Sequence, residues 1–155
     1  MVVYLAQHAK ALSKTQDPDR PLSESGLADM ALITGFIKPL CLEVSFIWHS
    51  SKTRARQTAK LLADVVDSPQ PPYEHEGLEP DDDADALCDL LFKRDEDAMI
   101  VSHQPLLDKV ARRLIDTRDE SPPKFRQGGM VAVEVSEALP DGQVLWAITP
   151  EAVAD

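Results

Sequence analysis

Two rhythms of apolar and polar positions alternate along this chain. Val2 to Ala6 is an unbroken apolar run, rich in β-branched residues, that stops at Gln7-His8. A run this short and continuous predicts a buried strand whose end is polar. Val44 to Trp48 and Ala98 to Val101 repeat the pattern, the first leading to Ser50-Ser51 and the second to Ser102-His103-Gln104-Pro105. Between the runs the spacing becomes helical. Ser23 is placed to cap a helix carrying Leu27, Met30, Ala31, Thr34 and Ile37 along one side, with Pro39 as its stop. Ser50 or Ser51 is placed to cap a second helix, with Ala55, Ala59, Leu62 and Val66 as its stripe. Asp81-Asp82-Asp83 opens a third, running to about Lys93, where acidic groups suit the positive end of the helix dipole and Leu87, Leu90 and Leu91 supply the apolar side. Pro105 suits the first turn of a fourth, with Leu107, Ala111 and Leu114 on one face.

Prolines punctuate what remains. Ser68-Pro69-Gln70-Pro71-Pro72 cannot be helical and is predicted to be an extended connector, too short to join two domains. Met130 to Val135 alternates like a strand, Pro140-Asp141-Gly142 reads as a turn, and Val144 to Ile148 alternates again, so a hairpin is expected to close the chain. Strands alternating with helices predict an α/β fold: one domain over residues 1–155, a three-layer sandwich with a mostly parallel central sheet flanked by helices. Ligands of such sheets sit beyond the carboxyl ends of the strands. That rule places His8, Ser50 to Arg54 and His103 on one rim, able to share a pocket.

Composition narrows the possible partners. With 43% hydrophobic and 28% charged residues the chain is composed like a globular protein, which excludes global disorder. Sixteen Lys and Arg against 27 Asp and Glu leave a net charge of −11, so the mean field repels polyanions, and neither a nucleic acid nor an anionic membrane is expected as a partner. No apolar stretch approaches the roughly eighteen residues of a spanning helix, and Met1 to Leu5 lacks the pattern of a secretory leader, so the expected compartment is the cytoplasm. Cys41 and Cys88 lack the spacing of a metal or redox pair and are expected to be reduced, buried thiols. The four histidines are scattered, and Asp81 to Asp83 lacks the glycine and closing glutamate of a calcium loop, so no metal is expected.

The polar strand ends carry a recognisable set of blocks: Gln7-His8-Ala9 after the first strand, Arg20-Pro21-Leu22-Ser23, Ser50-Ser51-Lys52-Thr53-Arg54-Ala55-Arg56-Gln57-Thr58, and Ser102-His103-Gln104-Pro105. Together they resemble the histidine phosphatase superfamily, and the small size and the Arg20-Pro21-Leu22-Ser23 segment are most similar to its SixA-type phosphohistidine phosphatases. The resemblance runs from Met1 nearly to the end and implies a phosphoglycerate mutase-like fold. Gln7 and Ala9 stand where the family has arginine and glycine, and Ser51 where it has proline.

The resemblance implies a phosphatase without a cofactor, in which His8, Arg54 and His103 are catalytic and Gln7, Arg20, Arg54 and His103 hold phosphate. Its substrate would be a phosphohistidine-bearing phosphorelay or phosphotransfer protein. The chemistry has its own logic. A neutral imidazole at His8 can attack phosphorus in line, and the phosphohistidine so formed is then hydrolysed. Phosphoryl transfer depends above all on positive charge placed at the equatorial oxygens, and Arg54 offers a guanidinium fork in the first turns of a helix. Two alternatives stay open. One is a small-molecule phosphomonoesterase, which needs a proton donor among Glu76, Glu79 and Asp82. The other is an impaired module that binds phosphate or a phosphoprotein without turning it over, as the substitutions at Gln7 and Ala9 suggest.

Overall fold

The computed structural model describes residues 1–115, 123–136 and 139–154. The apolar runs form strands as expected, in the order β1 (Val2–Gln7), α1 (Glu24–Ile37), β2 (Phe46–His49), α2 (Thr53–Ala63), β3 (Tyr73–Glu74), α3 (Ala84–Arg94), β4 (Ala98–Ser102), α4 (Leu106–Ile115), β5 (Met130–Ser136), β6 (Leu139–Ile148) and α5 (Pro150–Val153). They build one six-stranded sheet in the order β3-β2-β4-β1-β5-β6. β1, β2, β3 and β4 are mutually parallel, while β5 runs antiparallel to both β1 and β6.

Period-two alternation sorts each strand between two cores. Val3, Leu5, Ala98 and Ile100 face the layer of α3 and α4, packing with Leu87, Leu91, Leu107 and Leu114. Tyr4, Ala6, Met99 and Val101 face the layer of α1 and α2, packing with Met30, Ile33, Ala59 and Leu62. The result is the three-layer α/β sandwich anticipated from the sequence. Each fully buried aliphatic side chain stabilises it by about 1.5–3 kcal/mol, so the layers hold the polar rim in place.

Several local readings need correction. The buried stripe of α1 is Gly26, Met30, Ile33 and Ile37, whereas Leu27 and Ala31 are exposed. Gly26 decides this phase: a Cβ there would collide with the Lys10 carbonyl, so only glycine lets the helix approach so closely. The cap of α2 is Lys52, with no side-chain cap bond, because Ser50 is engaged elsewhere. Pro140-Asp141-Gly142 lies inside β6, whose Leu139 already pairs with Ser136 of β5, and residues 137–138 are outside the described residues. Proline is tolerated there because β6 is an edge strand, and Gly142 serves close approach: an added Cβ would come within 2.5 Å of the Leu114 carbonyl oxygen. Cys88 is buried as expected, but Cys41 is exposed, on a left-handed residue that ends a 3-10 turn containing Pro39.

Candidate active site

Parallel register brings the polar strand ends together. Gln7 pairs with Ser102 across β1 and β4, and His49 pairs with Val101 across β2 and β4. The residues that follow, His8, Ser50 and His103, therefore emerge side by side. The His8 amide extends the ladder by donating to the Ser102 carbonyl at 3.1 Å. The His8 and His103 rings lie 4.8 Å apart between centroids, tilted by 52°, and both are buried.

Hydrogen bonds decide which ring nitrogens are available. His8 Nδ1 lies 2.8 Å from the Ala9 carbonyl oxygen, which can only accept, so Nδ1 carries the proton and the neutral ring keeps its lone pair on Nε2. His103 Nε2 lies 2.6 Å from Ser50 Oγ. That oxygen also accepts the Lys52 amide at 3.3 Å. His103 Nδ1 is buried, with no partner among the described residues. His8 thus presents a lone pair beside the His103 ring.

Both rings are held neutral. Burial, then the charges of Arg54 and Arg20, lower His8 to about 4 against the pull of the Ala9 hydrogen bond. Burial, then His8 and Arg54, lower His103 to about 3, with Glu79 pulling the other way. Arg54 is the second residue of α2, so the positive end of that helix reaches the same rim. Burial and the neighbouring Arg20 cation both push its pKa down, with Glu79 opposing, and its Nε has no partner among the described residues.

Arg20 joins this group from a distant loop. Its backbone is left-handed, with φ of 48°, a conformation that costs a non-glycine residue on the order of 1–3 kcal/mol. Its amide donates to the Asp17 carbonyl and its Nε–H to the Leu12 carbonyl, both at 3.0 Å. The strained turn thereby holds a guanidinium beside Arg54. Gln7 ends β1, and its Oε1 is buried without a partner among the described residues. Ala9 is buried and does not have a positive φ, so alanine fits where a glycine was anticipated.

Two residues quoted only as parts of a motif hold the site together. Thr58 Oγ1 accepts the Ala9 amide at 3.0 Å and donates to the Arg54 carbonyl at 2.8 Å, tying the His8 loop to the first turn of α2. Gln57 Oε1 accepts the Leu22 amide at 2.7 Å and so fastens the segment after Arg20. Ser50, read as a helix cap, instead hydrogen-bonds His103 Nε2. Sequence offers a hint of this only in the motif itself.

Of the three carboxylates considered as acids, Glu79 alone reaches the rim. Its Oε1 accepts the Ser51 amide at 2.8 Å, and Lys52 Nζ lies 3.9 Å from its Oε2. Burial pushes Glu79 up, but the Ser51 hydrogen bonds, Lys52 and His103 outweigh it and hold the carboxyl below its usual range. Glu76 and Asp82 line a different hollow, with His75 and Leu90. His75 stacks on Trp48 at 3.8 Å, and His49 bonds the Ser50 carbonyl, so neither joins the pair at the rim. Among the described residues no helix is long and apolar enough to cross a membrane.

Known proteins resemble this chain in sequence and fold. Residues 3–79 match the family model of the histidine phosphatase superfamily, branch 1. The phosphohistidine phosphatase SixA of Escherichia coli (strain K12) is 24% identical over 155 residues, covering 97% of this chain and 94% of that protein. A structure of the protein histidine phosphatase SixA complexed with tungstate superposes with a TM-score of 0.80 at 25% identity, over 97% of each chain. A phosphoserine phosphatase from Entamoeba histolytica, solved with phosphoserine, has the same fold, with a TM-score of 0.70 at 13% identity over 99% of each chain.

Proposed function

Since this chain belongs to the histidine phosphatase superfamily and is a phosphatase, we propose that it dephosphorylates phosphohistidine on a cytoplasmic phosphorelay or phosphotransfer protein, with His8 as nucleophile. The observation that carries this reading is the orientation of His8: Nδ1–H is anchored on the Ala9 carbonyl, and Nε2 is left with a free lone pair beside Arg54 and His103. In the first step Nε2 attacks phosphorus, and the bond from phosphorus to the substrate imidazole breaks. Arg54 and Arg20 carry the charge on the equatorial oxygens, and the His103 and Gln7 side chains complete the cradle. In the second step water attacks phospho-His8, releasing inorganic phosphate and restoring the imidazole.

The leaving group separates this reading from a phosphomonoesterase. An alkoxide requires a proton at the moment of departure, and Glu79, the carboxyl at the rim, is held ionised by Ser51 and Lys52. Imidazole leaves more readily and can be protonated by water. The likeness to a SixA structure holding tungstate, a tetrahedral oxyanion, supports a site for phosphoryl oxygens.

The test is to incubate wild type and His8→Ala with a phosphohistidine-bearing protein, measuring phosphate release and trapping acid-labile, base-stable phosphate on the enzyme. Release and labelling that both depend on His8 are expected. Failure of both across several phosphohistidine proteins, with phosphate binding intact, would replace this reading by a binding module. Turnover of p-nitrophenyl phosphate that is lost in Glu79→Gln would replace it by a phosphomonoesterase.

A further inference from the structure

Beside the His8 pocket lies an open hollow of about 410 Å³ whose lining includes Lys14, Arg20, Lys52 and Arg54, with Asp19 as its acidic residue. This is unexpected on a chain with a net charge of −11, where any cation has acidic residues in excess to pair with. Lys52 has only the long 3.9 Å contact to Glu79, and Lys14, Arg20 and Arg54 make no ion pair with any described residue. Cations left unpaired on an acidic body, converging on one concavity, are complementary to an anion supplied from outside.

The phosphoryl group does not account for all of them. Arg20 and Arg54 are the cations that act on His8. Lys14 and Lys52 extend the positive wall past it, on exposed residues and flexible stems. A hollow of this size has room for peptide side chains beside a phosphoryl group. Exposed lysines spread over an open wall suit carboxylates spaced along a chain. A compact polyphosphate would instead need its donors buried around one point, whereas Lys14 and Lys52 are exposed.

We propose that this hollow docks an acidic segment flanking the phosphohistidine of the substrate protein, an assignment that rests on the phosphohistidine reading above. Lys14 and Lys52 take Asp or Glu side chains of the partner while Arg54 and Arg20 hold its phosphoryl group. Selectivity then comes from short-range contacts at the mouth of the pocket, because the net charge of the chain works against long-range attraction.

The experiment compares kcat/KM for phosphohistidine peptides flanked by Asp and Glu, by Gln, or by Lys, together with phosphoimidazole, at low ionic strength and at about 0.5 M NaCl. Wild type is expected to prefer the acidic peptide over the neutral one by about tenfold at low salt, the scale of two surface ion pairs, and the Lys-flanked peptide least. Lys14→Gln is expected to raise KM for the acidic peptide about threefold and leave phosphoimidazole hydrolysis unchanged, and Lys14→Gln/Lys52→Gln to remove the preference. Equal rates on all three peptides, or a Lys14→Gln loss that is the same on phosphoimidazole, would overturn the proposal. So would Lys14-dependent inhibition by tripolyphosphate in the absence of any peptide preference, which would assign the hollow to a small polyanion. If wild type turns over no phosphohistidine substrate, the catalytic reading falls separately. Docking is then decided by anisotropy with a labelled, unphosphorylated acidic peptide: Lys14-dependent, salt-sensitive binding upholds it, and no binding overturns it.

Discussion

Acidification provides a direct test of the environment assigned to His8. In the unfolded chain this imidazole takes a proton near pH 6.5, whereas in the folded site it stays neutral until about 4, first through burial and then through Arg54 and Arg20. Because the folded value is the lower one, the stability contributed by neutral His8 is whole above about pH 6.5 and is lost as the pH falls toward about 4. The interval from 6.5 to about 4 is about 2.5 pH units, which at roughly 1.36 kcal/mol each amounts to about 3 kcal/mol. His8 is only 7% exposed, so solvent screening reduces this little. Against the roughly 5–15 kcal/mol typical of a domain, the loss is large enough to measure. Urea denaturation of wild type and His8→Asn at pH 7.5 and pH 4.5 isolates it, since the carboxylates titrate in both proteins. Wild type is expected to lose about 2–3 kcal/mol more than the variant on acidification. The acid limb of kcat/KM is expected near pH 4 on the same grounds. Equal losses in the two proteins, or a His8 ring resonance that titrates near pH 6.5, would refute the reasoning.

Three substitutions probe the remaining parts of the site. Ser50→Ala removes the hydroxyl that hydrogen-bonds His103 Nε2 and is expected to lower kcat about ten- to a hundredfold with KM little changed, with Ser50→Thr restoring most of it; steady-state kinetics showing full activity in Ser50→Ala would show that this hydrogen bond does not position His103 for the reaction. Arg54→Gln removes a charged donor worth about 1.5–3 kcal/mol per hydrogen bond, so kcat/KM should fall at least about tenfold and the acid limb of its pH profile should move upward as His8 loses a depressing charge. Gln7→Arg adds a charge at the end of β1 and should raise turnover about tenfold; an unchanged or slower rate would mean that position 7 does not face the phosphoryl group.

Long-range features of this chain were legible for a physical reason. Buried parallel strands are continuous apolar runs, and residues just past their carboxyl ends must converge, so His8 and His103 could be put on one rim from pattern alone. Arg54 followed from its place after β2. The phase of α1 was not legible, because Leu27, Leu32 and Phe36 are apolar yet exposed, and because a glycine, which no hydrophobicity pattern marks, makes the closest contact. Gly142 and Pro140 misled in the opposite sense: both residue types mark turns, but here one allows close packing and the other occupies an edge strand. Arg20 was expected at the pocket from the family resemblance alone, since a left-handed arginine leaves no trace in composition. The roles of Ser50, Thr58 and Glu79 depend on hydrogen bonds between segments more than twenty residues apart, which spacing cannot express.

The two hydrogen bonds of Thr58, accepted from the Ala9 amide and donated to the Arg54 carbonyl, bear on how this chain tolerates changes in length. Arg54 and Thr58 stand four residues apart on one helix, so inserting or deleting a single residue between them rotates one against the other by about 100°. The guanidinium would then leave the pocket while the threonine kept its hold on the His8 loop, or the reverse. The proline connector at residues 69–72 is largely exposed and has no comparable timing to keep. Insertions of a few residues there should leave phosphatase activity intact, whereas one residue added between Arg54 and Thr58 should abolish it without unfolding the sheet.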